Sequence, residues 1–442
     1  MRDALIFLAF ACIIPFIFKR PVVGALAYAM FSLMNPHRLS YGTAYDFPFA
    51  MLLGVITLVS VVLSREQKKI PPSSPVIMLG LLCLWMVTTF LFAQDPTRAM
   101  VVGDRVYKIM LMIFITFLTV RTKSDVQALA LTVAISLGFW GFKGGFHTVL
   151  SGGRSGVLGP ADSFISDNNT IALALLVTVP LLVYQSSHAR TKLGRWIAGG
   201  TTLLTVVATI GSYSRGALVG CVAMALFLWL KSTSKLKTGL VITLLAPVIL
   251  LSMPEEWTGR MHSINNYEED ESAQGRLNAW EFAVNVANQF PLGGGPGIFS
   301  PDSFLKYAPN PETFHVAHSI YFQMLGEHGW LGLALFLAMH ACTWRTGSRV
   351  IRHCENKPEL AWASMLARMC QVSQIGYLVA GAFLTLAYYD LAYYVMAIVI
   401  TLDKVLIRYP QADDIPPLHL PFGKRKARRD APKAPASTPA SI

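Results

Sequence analysis

Thirteen apolar stretches, each close to the length that crosses a bilayer, run through this chain with polar loops between them. They cover roughly 4–18, 22–36, 49–64, 75–93, 106–120, 126–142, 170–186, 196–212, 216–230, 238–253, 318–344, 366–387 and 391–407. A helix needs about 20 apolar residues to span the hydrocarbon core, and several stretches are near the short limit. So many apolar segments cannot all be buried in water. Only 14% of the 442 residues are charged, against about a quarter in soluble domains. The first two stretches are parted only by Lys19-Arg20-Pro21 and could be one broken element. The expected fold is therefore an all-helical polytopic membrane protein of about 12 transmembrane helices. Met1 to Phe18 lacks a small-residue cleavage site and reads as a retained anchor.

The net charge of +12 would suggest nucleic acid in a soluble chain. Here it sorts by loop. Twenty-five of the 37 Lys and Arg residues lie on one side: Lys19/Arg20, Arg65/Lys68/Lys69, Arg121/Lys123, Arg190/Lys192/Arg195, Lys231/Lys235/Lys237, Arg345/Arg349/Arg352/Lys357 and the tail from Lys404 on. Ten lie on the other. Basic loops stay in the cytoplasm, so the richer side is expected to be cytoplasmic, in a bacterial inner membrane, with the C-terminus inside. The chain then divides into helices at 1–253, a large periplasmic loop at 254–317, C-terminal helices at 318–409 and a disordered basic tail at 410–442. The segments 95–108, 143–169, Ser214-Arg215-Gly216 and Tyr388–Asp390 also face outward.

Several outward residues suit chemistry. Arg215 sits between two spans at the membrane boundary, where a cation needs an anion or water. A snorkelling interfacial arginine is an equally ordinary reading. Gly275-Arg276-Leu-Asn-Ala-Trp280 opens an amphipathic segment expected to lie along the membrane surface. A turn, Pro291-Leu-Gly-Gly-Gly-Pro-Gly297, follows it. His318 stands where the loop re-enters the membrane, and its ordinary pKa suits proton transfer near neutral pH. Glu327 is an intramembrane carboxylate, expected to be paired. Arg105 and Lys108 share one face of a helix start. Asp167-Asn168-Asn169 reads as a helix cap. Tyr388, Tyr389 and Asp390 form a polar break between the last two spans.

Other chemistries lack their signatures. No Asp-x-Asp pair points to a metal-bound nucleotide sugar, and no Walker loop points to an ATP-driven pump. The six cysteines have no metal-ligand spacing and read as free thiols, with no zinc.

Ser214-Arg215-Gly216, Gly275-Arg276…Trp280 with Pro-Leu-Gly-Gly-Gly-Pro-Gly-Ile-Phe, and His318-Ser-x-Tyr321…Leu-x-Glu327-x-Gly329 together resemble the bacterial O-antigen ligase and polymerase family. The segments around Ser32–Leu39, Tyr45–Pro48 and Asp167–Asn169 are similar to a subgroup, the O-glycosylation ligases associated with exosortase systems. The resemblance implies an all-helical glycosyltransferase fold that uses polyprenyl-linked donors. It implies transfer of a polysaccharide from undecaprenyl diphosphate to lipid A–core oligosaccharide in the periplasm; with arginines on the diphosphate in place of a metal, direct displacement is expected to invert the anomeric carbon and to need no cofactor. It assigns Arg215, Arg276 and His318 as catalytic. Arg105, Lys108, Trp280, Tyr321, Glu327, Tyr388 and Asp390 are the expected substrate-binding residues. A protein acceptor, or a growing glycan as in the polymerases, would use the same donor. A lipid-linked glycan transporter is a reading of another class.

Overall fold

The computed structural model describes residues 2–66, 68–189, 191–231 and 271–410, with scattered positions between 234 and 257. The described elements are helical, without strands. Nine helices precede residue 232: α1 (Arg2–Lys19), α2 (Pro21–Met34), α3 (Phe49–Leu63), α4 (Ser74–Leu91), α5 (Pro96–Thr119), α6 (Lys123–Leu150), α7 (Asn168–His188), α8 (Lys192–Ile210) and α9 (Arg215–Lys231). From residue 271 on, the described α-helices are α10 (Glu271–Gln289), α11 (Pro301–Tyr307), α12 (Ile320–His353), α13 (Ala361–Ala380) and α14 (Asp390–Asp403). Four of them, α4, α6, α7 and α8, are long and apolar enough to cross a membrane by length and composition. The apolar helices α2 and α3 and the segment Arg215–Leu230 are shorter. The expected apolar stretch 238–253 lies largely outside the described residues.

Helix starts follow from local chemistry. Thr122 and Asp125 form a reciprocal capping box at α6. Asp167 accepts from the backbone N–H groups of Asn169 and Thr170 and so caps α7. Every residue of α14 is buried. A helix that is apolar all round belongs inside a bundle, and α5, α6, α12 and α13 pack around it.

The segments around Arg20, Glu66, Arg121, Arg349 and Lys404 meet at one end of the bundle. There Arg20 pairs with Asp125 at 2.8 Å, and Arg121 pairs with Glu66. Asp403 takes both Arg349 (2.9 Å) and Arg408 (2.6 Å). Buried Lys404 donates to the carbonyls of Phe117 and Val120, at 2.5 and 2.9 Å. At the opposite end the Tyr45 hydroxyl donates to Asp162 and the Gln94 N–H to the Gly294 carbonyl, at 3.0 and 2.9 Å.

Two expectations change in detail. The apolar stretch 366–387 is not one helix: α13 stops at Ala380, and 381–389 is a folded, mostly buried connection. It reads as a span because burial, not helix formation, keeps it apolar. The amphipathic α10 does not reserve its apolar face for lipid. Ala279, Phe282, Ala283 and Val286 enter a separate core with Ile298, Phe299 and Phe304, and α10 packs on α12.

Helix α6 approaches α8 closely. A Cβ on Gly145 would stand 2.1 Å from the Leu204 carbonyl oxygen, so only glycine permits this backbone contact. By contrast a Cβ on Gly199 meets nothing within 4 Å. Gly145→Ala should therefore cost about 1–3 kcal/mol. Gly199→Ala should be neutral or gain up to about 1 kcal/mol from helix propensity. Thermal unfolding of the two detergent-purified variants separates these effects; equal midpoints would refute the close packing.

Candidate functional site

Arg215 stands at the first position of α9, directly after a tight turn. Tyr213 in that turn has φ 61°, in the left-handed region. Neighbours hold the turn: the Tyr213 hydroxyl donates to the Gly153 carbonyl (2.6 Å), and the Asn168 amide donates to the Ser212 carbonyl (2.9 Å). Arg276 follows Gly275 in α10. His318 lies just before α12, and Ser319 caps that helix.

These pieces converge. Arg215 and Arg276, both half-buried, line one cavity of about 70 Å³ with Tyr213, Ser214, Phe383 and Leu384. His318 stands beside it. Its backbone N–H donates to Thr385 Oγ1 at 2.8 Å, one residue beyond Leu384. The preceding carbonyl, of Ala317, accepts from the Trp280 indole at 2.9 Å. His318 has φ 41°, a conformation a non-glycine residue keeps only when its surroundings impose it. Thr385, Trp280 and the Ser319 cap impose it here.

The electrostatics favour a neutral imidazole. Burial lowers the His318 pKa below its ordinary value, and the charges of Arg276 and then His315 lower it further; Asp167 acts weakly the other way. A neutral ring with a free lone pair can accept a proton.

The remaining expected residues fall elsewhere. Trp280 and Tyr321 serve as braces. Trp280 stacks on Phe322 with ring centroids 4.8 Å apart, and the Tyr321 hydroxyl donates to the Leu378 carbonyl at 2.7 Å. Arg105 is exposed, its guanidinium over the Phe164 ring at 4.9 Å. Lys108 pairs with Asp104 at 2.6 Å. Neither lines the cavity.

Glu327, Tyr388 and Asp390 are buried in the bundle. The Tyr388 hydroxyl donates to Glu327. His328 bridges that hydroxyl and Thr89 Oγ1, at 2.6 Å each. Asp390 accepts from Ser32 Oγ at 2.5 Å. The glycine turn docks on this cluster: the N–H groups of Gly294 and Gly295 donate to the carbonyls of Gly326 and Glu327. Gly329, at φ 64° and ψ −172°, kinks α12 at the same level. Thr385, Phe383, Leu384 and His315 escaped the sequence reading. The first three lie in the apolar connection, where nothing marks a site, and His315 was overshadowed by its neighbour.

Two family matches bear on this geometry. Residues 200–337 match a family described as O-Antigen ligase, and this segment holds Arg215, Arg276 and His318. Residues 1–190 match a family of unknown function (DUF5935). A comparison with curated proteins finds no match.

Tyr388→Phe deprives two buried groups, Glu327 and His328, of a shared partner. A loss of about 1–3 kcal/mol is expected for each buried group left unsatisfied. Arg105→Ala, on the surface, should shift stability by less than about 0.5 kcal/mol. Unfolding midpoints of the two variants test this, and a Tyr388→Phe midpoint like that of the wild type contradicts the network.

Proposed function

Residues 200–337 belong to the O-antigen ligase family, and on that premise we propose that the chain transfers a glycan from undecaprenyl diphosphate to an acceptor hydroxyl. The carrying observation is that Arg215 and Arg276 line one cavity with His318 beside it. The family acts on lipid-linked glycans in a membrane, and the apolar helices agree with a membrane protein. The finer reading is ours. It has about 12 spans, with the Lys/Arg-rich end in the cytoplasm and the cavity at the periplasmic surface of the inner membrane. Lipid A–core is the acceptor in first place. A periplasmic protein or a second lipid-linked glycan would serve the same chemistry.

In this mechanism the diphosphate lies against Arg215 and Arg276. Planar guanidinium groups bind phosphate oxygens in pairs and keep their charge at any working pH. His318 takes the proton from the acceptor hydroxyl. The acceptor oxygen forms a bond to the anomeric carbon as the bond from that carbon to the phosphate oxygen breaks. The electron pair leaves with undecaprenyl diphosphate, and the anomeric configuration inverts. Negative charge grows on the leaving oxygen, where fixed cations in a partly dry cavity stabilise it most.

The arginine field gives His318 a second property. It depresses the imidazole pKa in the free protein. A bound diphosphate offsets that field, so His318 becomes a stronger base once the donor is seated. The acid limb of kcat/KM, which reports the free protein, should therefore lie below the ordinary histidine value of about 6.5. The acid limb of kcat should lie at higher pH than that of kcat/KM. Coincident limbs would remove the coupling.

Purified protein given lipid-linked glycan, with lipid A–core, a periplasmic protein or a second lipid-linked glycan as acceptor, tests the whole reading. Arg215→Ala, Arg276→Ala and His318→Ala should each lower transfer by about a hundredfold or more. EDTA should leave it unchanged. Variants that transfer at wild-type rates would remove the assignment. Movement of lipid-linked glycan across vesicles without bond formation would favour a transporter.

A further inference from the structure

A second and larger cavity, of about 880 Å³, is lined by Gly275, the residue before Arg276. One wall is a face of α10 carrying Gln274, Asn278 and Glu281, spaced by four and three residues. The other wall is the segment from Pro309 to His315. A single side chain pins the two walls together. The Asn278 amide donates to the carbonyls of Asn310 (2.8 Å) and Thr313 (3.2 Å), and its oxygen accepts from the Asn310 N–H (2.9 Å). The two walls are thus tied together around a volume typical for small-ligand sites.

Consecutive residues line the two cavities, Gly275 the larger and Arg276 the smaller. A Cβ on Gly275 would come within 2.3 Å of the His315 ring, so that ring lies directly over the glycine. Arg276, the next residue, lines the neighbouring cavity. His318 is three residues past His315 and feels the charges of both Arg276 and His315. A ligand seated on Gln274 and Glu281 would lie against Gly275 and His315, the residues that lead into Arg276 and His318.

The lining selects the ligand class. Among the described residues, no lysine or arginine lines this cavity. Gln274 and Glu281 are exposed and make no hydrogen bond or ion pair among the described residues. An amide and a carboxylate bind hydroxyl groups well, the carboxylate through charge-assisted bonds. The same carboxylate repels phosphate. Pro309 and Leu277 add a small apolar surface that suits the C–H face of a sugar ring.

We propose that this cavity seats the acceptor, and that the acceptor portion it takes is an uncharged saccharide, held through its hydroxyls by Gln274 and Glu281. The proposal rests on the reading of the arginine cavity as a glycosyl-transfer site. Both side chains are solvent-facing, so the variants Gln274→Ala and Glu281→Gln keep the fold.

The test is steady-state kinetics of the purified protein with whichever acceptor the wild type turns over. The double variant should raise the acceptor KM by about tenfold or more, as expected for the loss of two hydrogen bonds, one of them charged. The donor KM and kcat at saturating acceptor should stay within about twofold. Oligosaccharides cut from the acceptor's hydroxyl-bearing end should compete with it, and phosphorylated versions should compete less well. An unchanged acceptor KM, or stronger competition by the phosphorylated form, overturns the assignment while transfer by the wild type stands. A wild type that transfers to none of the acceptors overturns the glycosyl-transfer reading, and the acceptor pocket falls with it.

Discussion

Two guanidinium groups share one half-buried cavity, and the rest of the site follows from what that costs. Unit charges several Å apart repel by a few kcal/mol at an effective dielectric of about 20. The frame that holds Arg215 and Arg276 together is correspondingly stiff. The turn before Arg215 is tied to the start of α7 and to the 151–167 loop. Arg276 rides on α10, whose apolar face is locked into its own small core against α12. Such a frame presents two fixed guanidinium groups to a diphosphate, which acquires more charge as it leaves.

The connection 381–389 links this polar cavity to the bundle interior. Phe383 and Leu384 line the cavity, Thr385 holds His318, and Tyr388 reaches Glu327 and His328. Beyond it α14 is wholly buried. The histidine is therefore positioned by contacts that run from the cavity into the core of the bundle. Its strained backbone is a product of that constraint. The glycine turn completes the arrangement by docking α10 onto the kink at Gly329.

Much of the fold was legible in sequence because length and apolarity are sufficient to mark a long helix. The stretches 75–93, 126–142, 170–186 and 196–212 fall within or across α4, α6, α7 and α8. The same signal failed at 381–387, where apolar residues are buried without being helical. It marked α10 as amphipathic but not the protein core that its apolar face enters, since such a helix looks alike whether that face meets lipid or protein. In the site, Arg215, Arg276 and His318 stood out as charged or titratable groups beside turns. Their shared cavity could not be read, because it depends on how α9, α10 and the 381–389 connection pack. Thr385 carried no signal, and Glu327 was expected to be paired but without its partner Tyr388.

The central claim is that the two arginines bind a lipid diphosphate while the histidine acts only on the acceptor's proton. Equilibrium binding of undecaprenyl diphosphate to the protein in nanodiscs measures this directly. Arg215→Ala and Arg276→Ala should each weaken binding by about tenfold or more, as for loss of a charged hydrogen-bonding partner, and His318→Ala should bind like the wild type. Arginine variants that bind as tightly as the wild type would contradict the account.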